Sequence, residues 1–202
     1  MNKIISSFLD IHVKEYGISN YATETAFEHF INKCIVNKYS IDRFDPSEIM
    51  TDPGEKGLDG VAICINGRLV TTIEEFESIR KESPNIEVKF VFIQSKTSES
   101  FEGDEIGTFL YGVKAFFADK ENRPTTNEKM ESLIELKDKI YTYSVDMPMP
   151  PILELYYVCC GKWLESNGLM KRINLEVSSL RESQDFDNVN FYPYDSEKII
   201  TT

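Results

Sequence analysis

The chain has 202 residues, 41% of them hydrophobic and 12% aromatic, which suffices for a substantial core in one good-sized domain, or one domain with part of another. No window approaches the roughly 20 unbroken apolar residues of a membrane span, and the N-terminus "MNKIISSFLDIHVKEY" lacks a signal-peptide layout, so a soluble, cytoplasmic protein is expected with no membrane partner. The net charge of −12 counts against general affinity for nucleic acid, which draws mostly on phosphate contacts, but leaves room for a local basic groove or a basic partner domain.

In chain order, Ile4, Ile5, Phe8, Leu9 and Ile11 mark a short amphipathic helix over 2–15 that ends near Gly17. A second helix is expected from about Asn20 to Lys38, capped by Thr23 or Ser19, with Ala26, Phe27, Phe30, Ile31, Cys34 and Ile35 on its apolar face. The polar stretch "DRFDPSEIMTDPGEKGLDG", broken by Pro46, Pro53, Gly54, Gly57 and Gly60, reads as loop. In "DGVAICINGRLVTT", Asn66-Gly67 between two apolar runs is the preferred type I′ hairpin turn. Residues 73–83 suggest a short acidic helix.

The segment "VKFVFIQSKTSES" then alternates Ile86, Val88, Phe90 and Phe92 with Glu87, Lys89, Val91 and Ile93, the pattern of a strand buried largely on both faces. Gln94 and Lys96 fall on the face of Phe92, and Ser95 on the other. After a loop over "SESFEGDE", Ile106, Phe109, Leu110, Val113, Phe116 and Phe117 fit a helical period, and Gly107 and Gly112 suggest close approach of another element. A charged helix over about 127–143, the break "DMPMPP", an inner strand at 152–160, a helix over 173–182 and a last strand "NVNFYPY" follow. "YDSEKIITT" begins a helix, which suggests an N-terminal piece of a longer chain. This order of elements is that of a layered α/β domain.

The four cysteines lie in apolar stretches without ligand spacing, and only His12 and His29 are present. A structural zinc site and a histidine-based triad are therefore disfavoured, which leaves carboxylates as the main catalytic option. Asp59 opens the first strand of the hairpin. If that strand pairs antiparallel with the one ending in Gln94 and Lys96, all three side chains converge at one edge. A carboxylate and a second oxygen ligand suit a hard cation such as Mg²⁺, with the Ser95 backbone carbonyl as a further ligand. A neighbouring lysine can orient or help deprotonate water and stabilise charge on phosphate.

The segments "GLDGVAICING" and "VFIQSKTSESFEGDEIGTFLYGVKAFF", with the later "PPILELYYVCCGKW" and "FDNVNFYPYD", resemble the N-terminal region of the AIPR (abortive infection phage resistance) family over most of residues 20–195. That region resembles a divergent nuclease domain of the PD-(D/E)xK, restriction-endonuclease-like superfamily. The resemblance implies a mixed central sheet flanked by helices, with a nuclease core over 1–145 and a C-terminal α/β extension over 146–202 that completes the domain or starts the next. It further implies a metal-dependent nuclease acting in phage defence, with Mg²⁺ or Mn²⁺ as cofactor and nucleic acid, DNA ahead of RNA, as partner. Further C-terminal domains are implied as well, since AIPR proteins are usually much longer than 202 residues; self-association through the apolar strand and the "FLYGVKAFF" helix, as in a homodimer, is a separate expectation. By position, Asp59 matches the first acidic residue, Gln94 the variable Glu/Gln and Lys96 the lysine. Mrr-like members add a glutamate from the first core helix, matched here by Glu28 in "AFEHF", with Glu24 one turn earlier as the second choice. Two features depart from the pattern: Gln94 supplies a neutral amide, and the Asp59-to-Gln94 separation is long. A catalytically inactive binding or regulatory module on the same fold is the competing expectation.

Overall fold

The computed structural model describes residues 1–52 and 57–202; Pro53 and Gly54, read above as loop breakers, lie outside them. The strand β3 (Val88–Lys96) organises everything else. Its period-2 alternation sends Phe90 and Phe92 into one hydrophobic core and Val91 and Ile93 into another, on opposite faces of the sheet. Five strands form this sheet in the order β2-β1-β3-β4-β5, with β1 at Gly60–Ile65, β2 at Arg68–Val70, β4 at Ile152–Cys159 and β5 at Asn188–Tyr194. β1 pairs antiparallel with β2 and β3, while β3–β4 and β4–β5 are parallel, so the sheet is mixed. The strands of the expected C-terminal extension thus belong to the same sheet as those of the expected core.

Seven α-helices flank this sheet among the described residues. The Phe90/Phe92 face is covered by α3 (Ile73–Glu82), α4 (Gly103–Phe117), α5 (Glu128–Tyr141) and α6 (Asn167–Glu182). The Val91/Ile93 face is covered by α1 (Lys3–Tyr16), α2 (Thr23–Val36) and α7 (Ser196–Thr201). The β1–β2 turn has positive φ at both Asn66 (52°) and Gly67 (76°), as the Asn-Gly pair requires.

Several local expectations need correction. In α1 the buried stripe is Ile5, Leu9 and His12, at i, i+4 and i+7, whereas Ile4, Phe8 and Ile11 are exposed. Neither Thr23 nor Ser19 caps α2, whose N-cap position is Ala22 with no side-chain bond. The helix α6 starts at Asn167, nearly two turns earlier than its apolar pattern suggests, because the Ser166 side chain accepts from the Leu169 N–H and caps it. The polar run "SESFEGDE" is not wholly loop, since α4 begins at Gly103.

The two histidines join α1 to α2. His12 Nε2 and His29 Nδ1 are 2.7 Å apart and both rings are buried, so one proton bridges the pair. Burial lowers the pKa of His12 to about 4, and burial likewise lowers that of His29.

The segment after β3 is fastened to the end of β4. The Cys160 N–H donates to the Ser98 carbonyl at 3.0 Å, and the Cys159 thiol donates to the Ser98 and Ser100 carbonyls at 2.9 and 3.1 Å. Gly161 lies flush against this segment, so that a Cβ there would overlap the Glu99 carbonyl. Gly161→Ala is therefore expected to destabilise the fold by about 1–3 kcal/mol, read as a lower urea midpoint; an unchanged midpoint would show that the backbone gives way freely.

Candidate functional site

The β1–β3 ladder pairs Gly60 with Ile93 and Val61 with Phe92. The Asp59 N–H prolongs it by donating to the Ile93 carbonyl at 2.9 Å, which brings Asp59 beside Gln94. The Asp59 carboxylate then ties off the end of β3. Its Oδ2 accepts from Gln94 Nε2 at 2.7 Å, from the Ser95 N–H at 2.7 Å and from Ser95 Oγ at 3.3 Å. All these bonds fall on one oxygen, leaving Oδ1 outside them among the described residues. The Asp59 backbone carbonyl accepts from Asn32 Nδ2 at 3.1 Å and from the Thr51 N–H at 3.3 Å.

Burial raises the Asp59 pKa, and the Ser95 N–H, the Lys96 charge, the Ser95 hydroxyl and the Gln94 amide pull it back. This is the balance expected of a carboxylate taken from water and repaid with charge-assisted hydrogen bonds. Gln94 is 2% exposed, and because its Nε2 turns to Asp59, its Oε1 is buried without a hydrogen-bond partner among the described residues. The Oδ1 of Asn32, also fully buried, is unpartnered in the same way. Each such acceptor costs about 1–3 kcal/mol unless water or a cation meets it.

From the other face of the sheet, α2 brings in Glu28. Its pKa is pushed up to about 7, first by burial and then by the Asp59 charge, with Lys96 opposing and Glu24 adding a smaller push. Glu24 itself is exposed. The structure thus brings Asp59, Gln94 and Ser95 into direct contact and sets Glu28 and Lys96 within electrostatic reach. Ser95 engages Asp59 through its N–H and hydroxyl, although strand alternation directed its side chain to the opposite face; its carbonyl lies 3.5 Å from Gln94 Nε2. Lys96 Nζ stands 3.7 Å from Glu105 Oε1 at the first turn of α4.

Sequence reasoning missed Asn32, Glu105 and Tyr157. Asn32 lies one turn beyond Glu28 on the same stripe of α2, and an amide on a buried stripe was the available signal. No such signal marked Glu105, which fell in a run read as loop.

Among the described residues no group of three or more His, Cys, Asp or Glu side chains is arranged as a metal site. A cation here would rest on two carboxylates, an amide oxygen, a backbone carbonyl and water. No helix among the described residues is long and apolar enough to cross a membrane. Comparison with protein-family models, with curated proteins and with solved structures gives no match.

An acid whose folded pKa is raised binds more protons when folded, so its contribution to stability falls as pH rises between the unfolded and folded values. For Glu28 that window runs from its ordinary value near 4.5 to about 7. The lowered His12 works the other way, its contribution being lost as pH falls from 6.5 towards 4. The difference between variants isolates the glutamate: Glu28→Gln should gain about 1–3 kcal/mol over wild type at pH 8 and little at pH 4.5. Urea titrations at the two pH values check this, and a difference independent of pH would contradict it.

Proposed function

We propose that this chain carries a metal-dependent nuclease site that hydrolyses phosphodiester bonds, with Asp59, Gln94, Lys96 and Glu28 as its working residues. The observation that carries the reading is the junction at the end of β3, where a hydrogen-bonded Asp59 lies against an amide with an unpartnered buried oxygen, with Glu28 and Lys96 in electrostatic reach. The donor set fits a hard cation. Asp59, Glu28, Gln94 Oε1 and the Ser95 carbonyl are all oxygen ligands, and a cation would satisfy the amide oxygen and relieve the repulsion between Glu28 and Asp59.

Bound Mg²⁺ or Mn²⁺ supplies a water of lowered pKa and a counter-charge for the phosphate. The chain's own residues do the rest. Gln94 and Ser95 hold the Asp59 carboxylate in one orientation. The Lys96 ammonium donates to water or a phosphate oxygen and stabilises the negative charge that develops on the phosphate oxygens. Glu28, with its elevated proton affinity, completes the negative site from α2.

The resemblance to AIPR proteins adds a role in phage defence by abortive infection, with DNA ahead of RNA as substrate and the cytoplasm as compartment. Dimerisation and further C-terminal domains belong to the same reading; a partner domain would supply the basic surface that a net charge of −12 does not. Fold and activity are separable, and the neutral Gln94 favours a second reading, a nuclease-fold module that binds without cutting.

Cleavage of labelled DNA and RNA with Mg²⁺ or Mn²⁺ separates the two. The nuclease reading expects Asp59→Ala and Lys96→Ala each to lower kcat by about 10²–10³-fold; no cleavage by wild type on either substrate would favour the binding module. Apart from activity, saturating Mg²⁺ should raise wild-type stability at pH 8 by about 2–3 kcal/mol when present at 100 times its dissociation constant. Asp59→Ala should abolish that gain, and an equal gain in both proteins would place the cation elsewhere.

A further inference from the structure

The side of Lys96 away from Asp59 is built as carefully as the side towards it. Tyr157, on β4, is the register partner of Gln94 and lies on the same sheet face as Lys96. Its ring is fully buried, packed near Phe101 and Phe109. A phenol so placed needs a partner for its hydroxyl, and it donates to Glu105 Oε2 at 3.0 Å. The other oxygen of that carboxylate, Oε1, faces Lys96 Nζ at 3.7 Å. Glu105 sits at the third position of α4, where the helix dipole favours an ionised carboxylate. Next to it, Asp104 is held to α6 by Arg172 Nη1 at 2.8 Å, which braces the same turn.

The Tyr157 hydrogen bond gives Glu105 a structural role of its own, whereas its part-exposed pair with Lys96 contributes little to stability at this distance. Its consequence is positional. Lys96 has Asp59 and Glu28 on one side, and their shared negative charge would draw the ammonium into the place a cation needs. A carboxylate of α4, anchored to Tyr157 on the β4 side of β3 while Asp59 lies on the β1 side, holds the ammonium off them.

We propose that Glu105, anchored by the Tyr157 hydroxyl, is the positioning residue for Lys96, keeping its ammonium at the rim of the site and clear of the Asp59–Glu28 pair. As a statement about catalysis this rests on the nuclease reading above; as a statement about Lys96 it does not. Glu105→Gln keeps an acceptor for Tyr157 and removes the charge that faces Lys96. Tyr157→Phe keeps the charge and removes its anchor.

The test has one arm free of activity. Peptide-resolved acylation of native protein by acetic anhydride reads how freely each lysine amine reacts. Lys96 should react several-fold faster, or several-fold slower if it collapses onto Asp59 and Glu28, in both variants, while Lys81, at the end of α3 towards the start of β3, reacts unchanged. An unchanged Lys96 rate in both variants overturns the proposal whatever the cleavage assay shows. In the cleavage assay, Glu105→Gln should lower kcat about tenfold with KM unchanged, and should have no further effect in a Lys96→Ala background. A loss that persists in that background overturns the proposal, because Glu105 would then act without Lys96. Wild type inactive on every substrate, with Lys96 labelling altered as expected, overturns the nuclease reading and leaves the positioning in place.

Discussion

One carboxylate holds the end of this sheet together where β3 leaves it. Asp59 lies a residue before β1, where the β1–β3 ladder ends and the Ser95 N–H on that side of β3 is left in need of a partner. The carboxylate takes that N–H together with the Gln94 amide and the Ser95 hydroxyl. Withdrawing a carboxylate from water is costly, and these bonds offset the cost only while the strands keep their register. The geometry of the site and the pairing of β1 with β3 are therefore one constraint. From it follow the buried Gln94, its unpartnered oxygen, and the placement of Lys96 at the exit of the strand.

The mixed sheet makes this junction reachable from both sides. Its two faces carry separate hydrophobic cores, one under α3–α6 and one under α1, α2 and α7. At the end of β3 both layers reach the junction. There α2 contributes Glu28 and Asn32, and α4 contributes Glu105. The mutual repulsion of Glu28 and Asp59 and the two buried acceptors without partners are unfavourable features of the protein alone. They stand beside well-packed cores, and this contrast is what supports reading the junction as a candidate site.

Much of this was legible in the sequence, for physical reasons that can be named. The alternation in 86–93 can belong only to a strand with two apolar faces, and Asn66-Gly67 can turn a hairpin through positive φ at both positions. Given those two elements as antiparallel neighbours, the contact between Asp59 and Gln94 follows from register alone. The rest depended on tertiary placement. Glu105 lies in a polar run with no apolar period, and its meaning appears only when Tyr157, 52 residues away, is set beneath it. The pairing of His12 and His29 across α1 and α2 could not be read from a separation of 17 residues. The stripe of α1 was misjudged because α1 meets one neighbouring helix and the chain end, which bury a narrower face than five apolar residues suggest.

We propose that the Asp59 junction holds a hard cation. Diffraction from crystals soaked in Mn²⁺, recorded for anomalous signal on wild type and Asp59→Ala, decides the matter. A peak in wild type bounded by Asp59, Glu28 and the Gln94 amide oxygen is expected, absent from the variant. No peak there in wild type at saturating Mn²⁺, or an equal peak in both proteins, would contradict it.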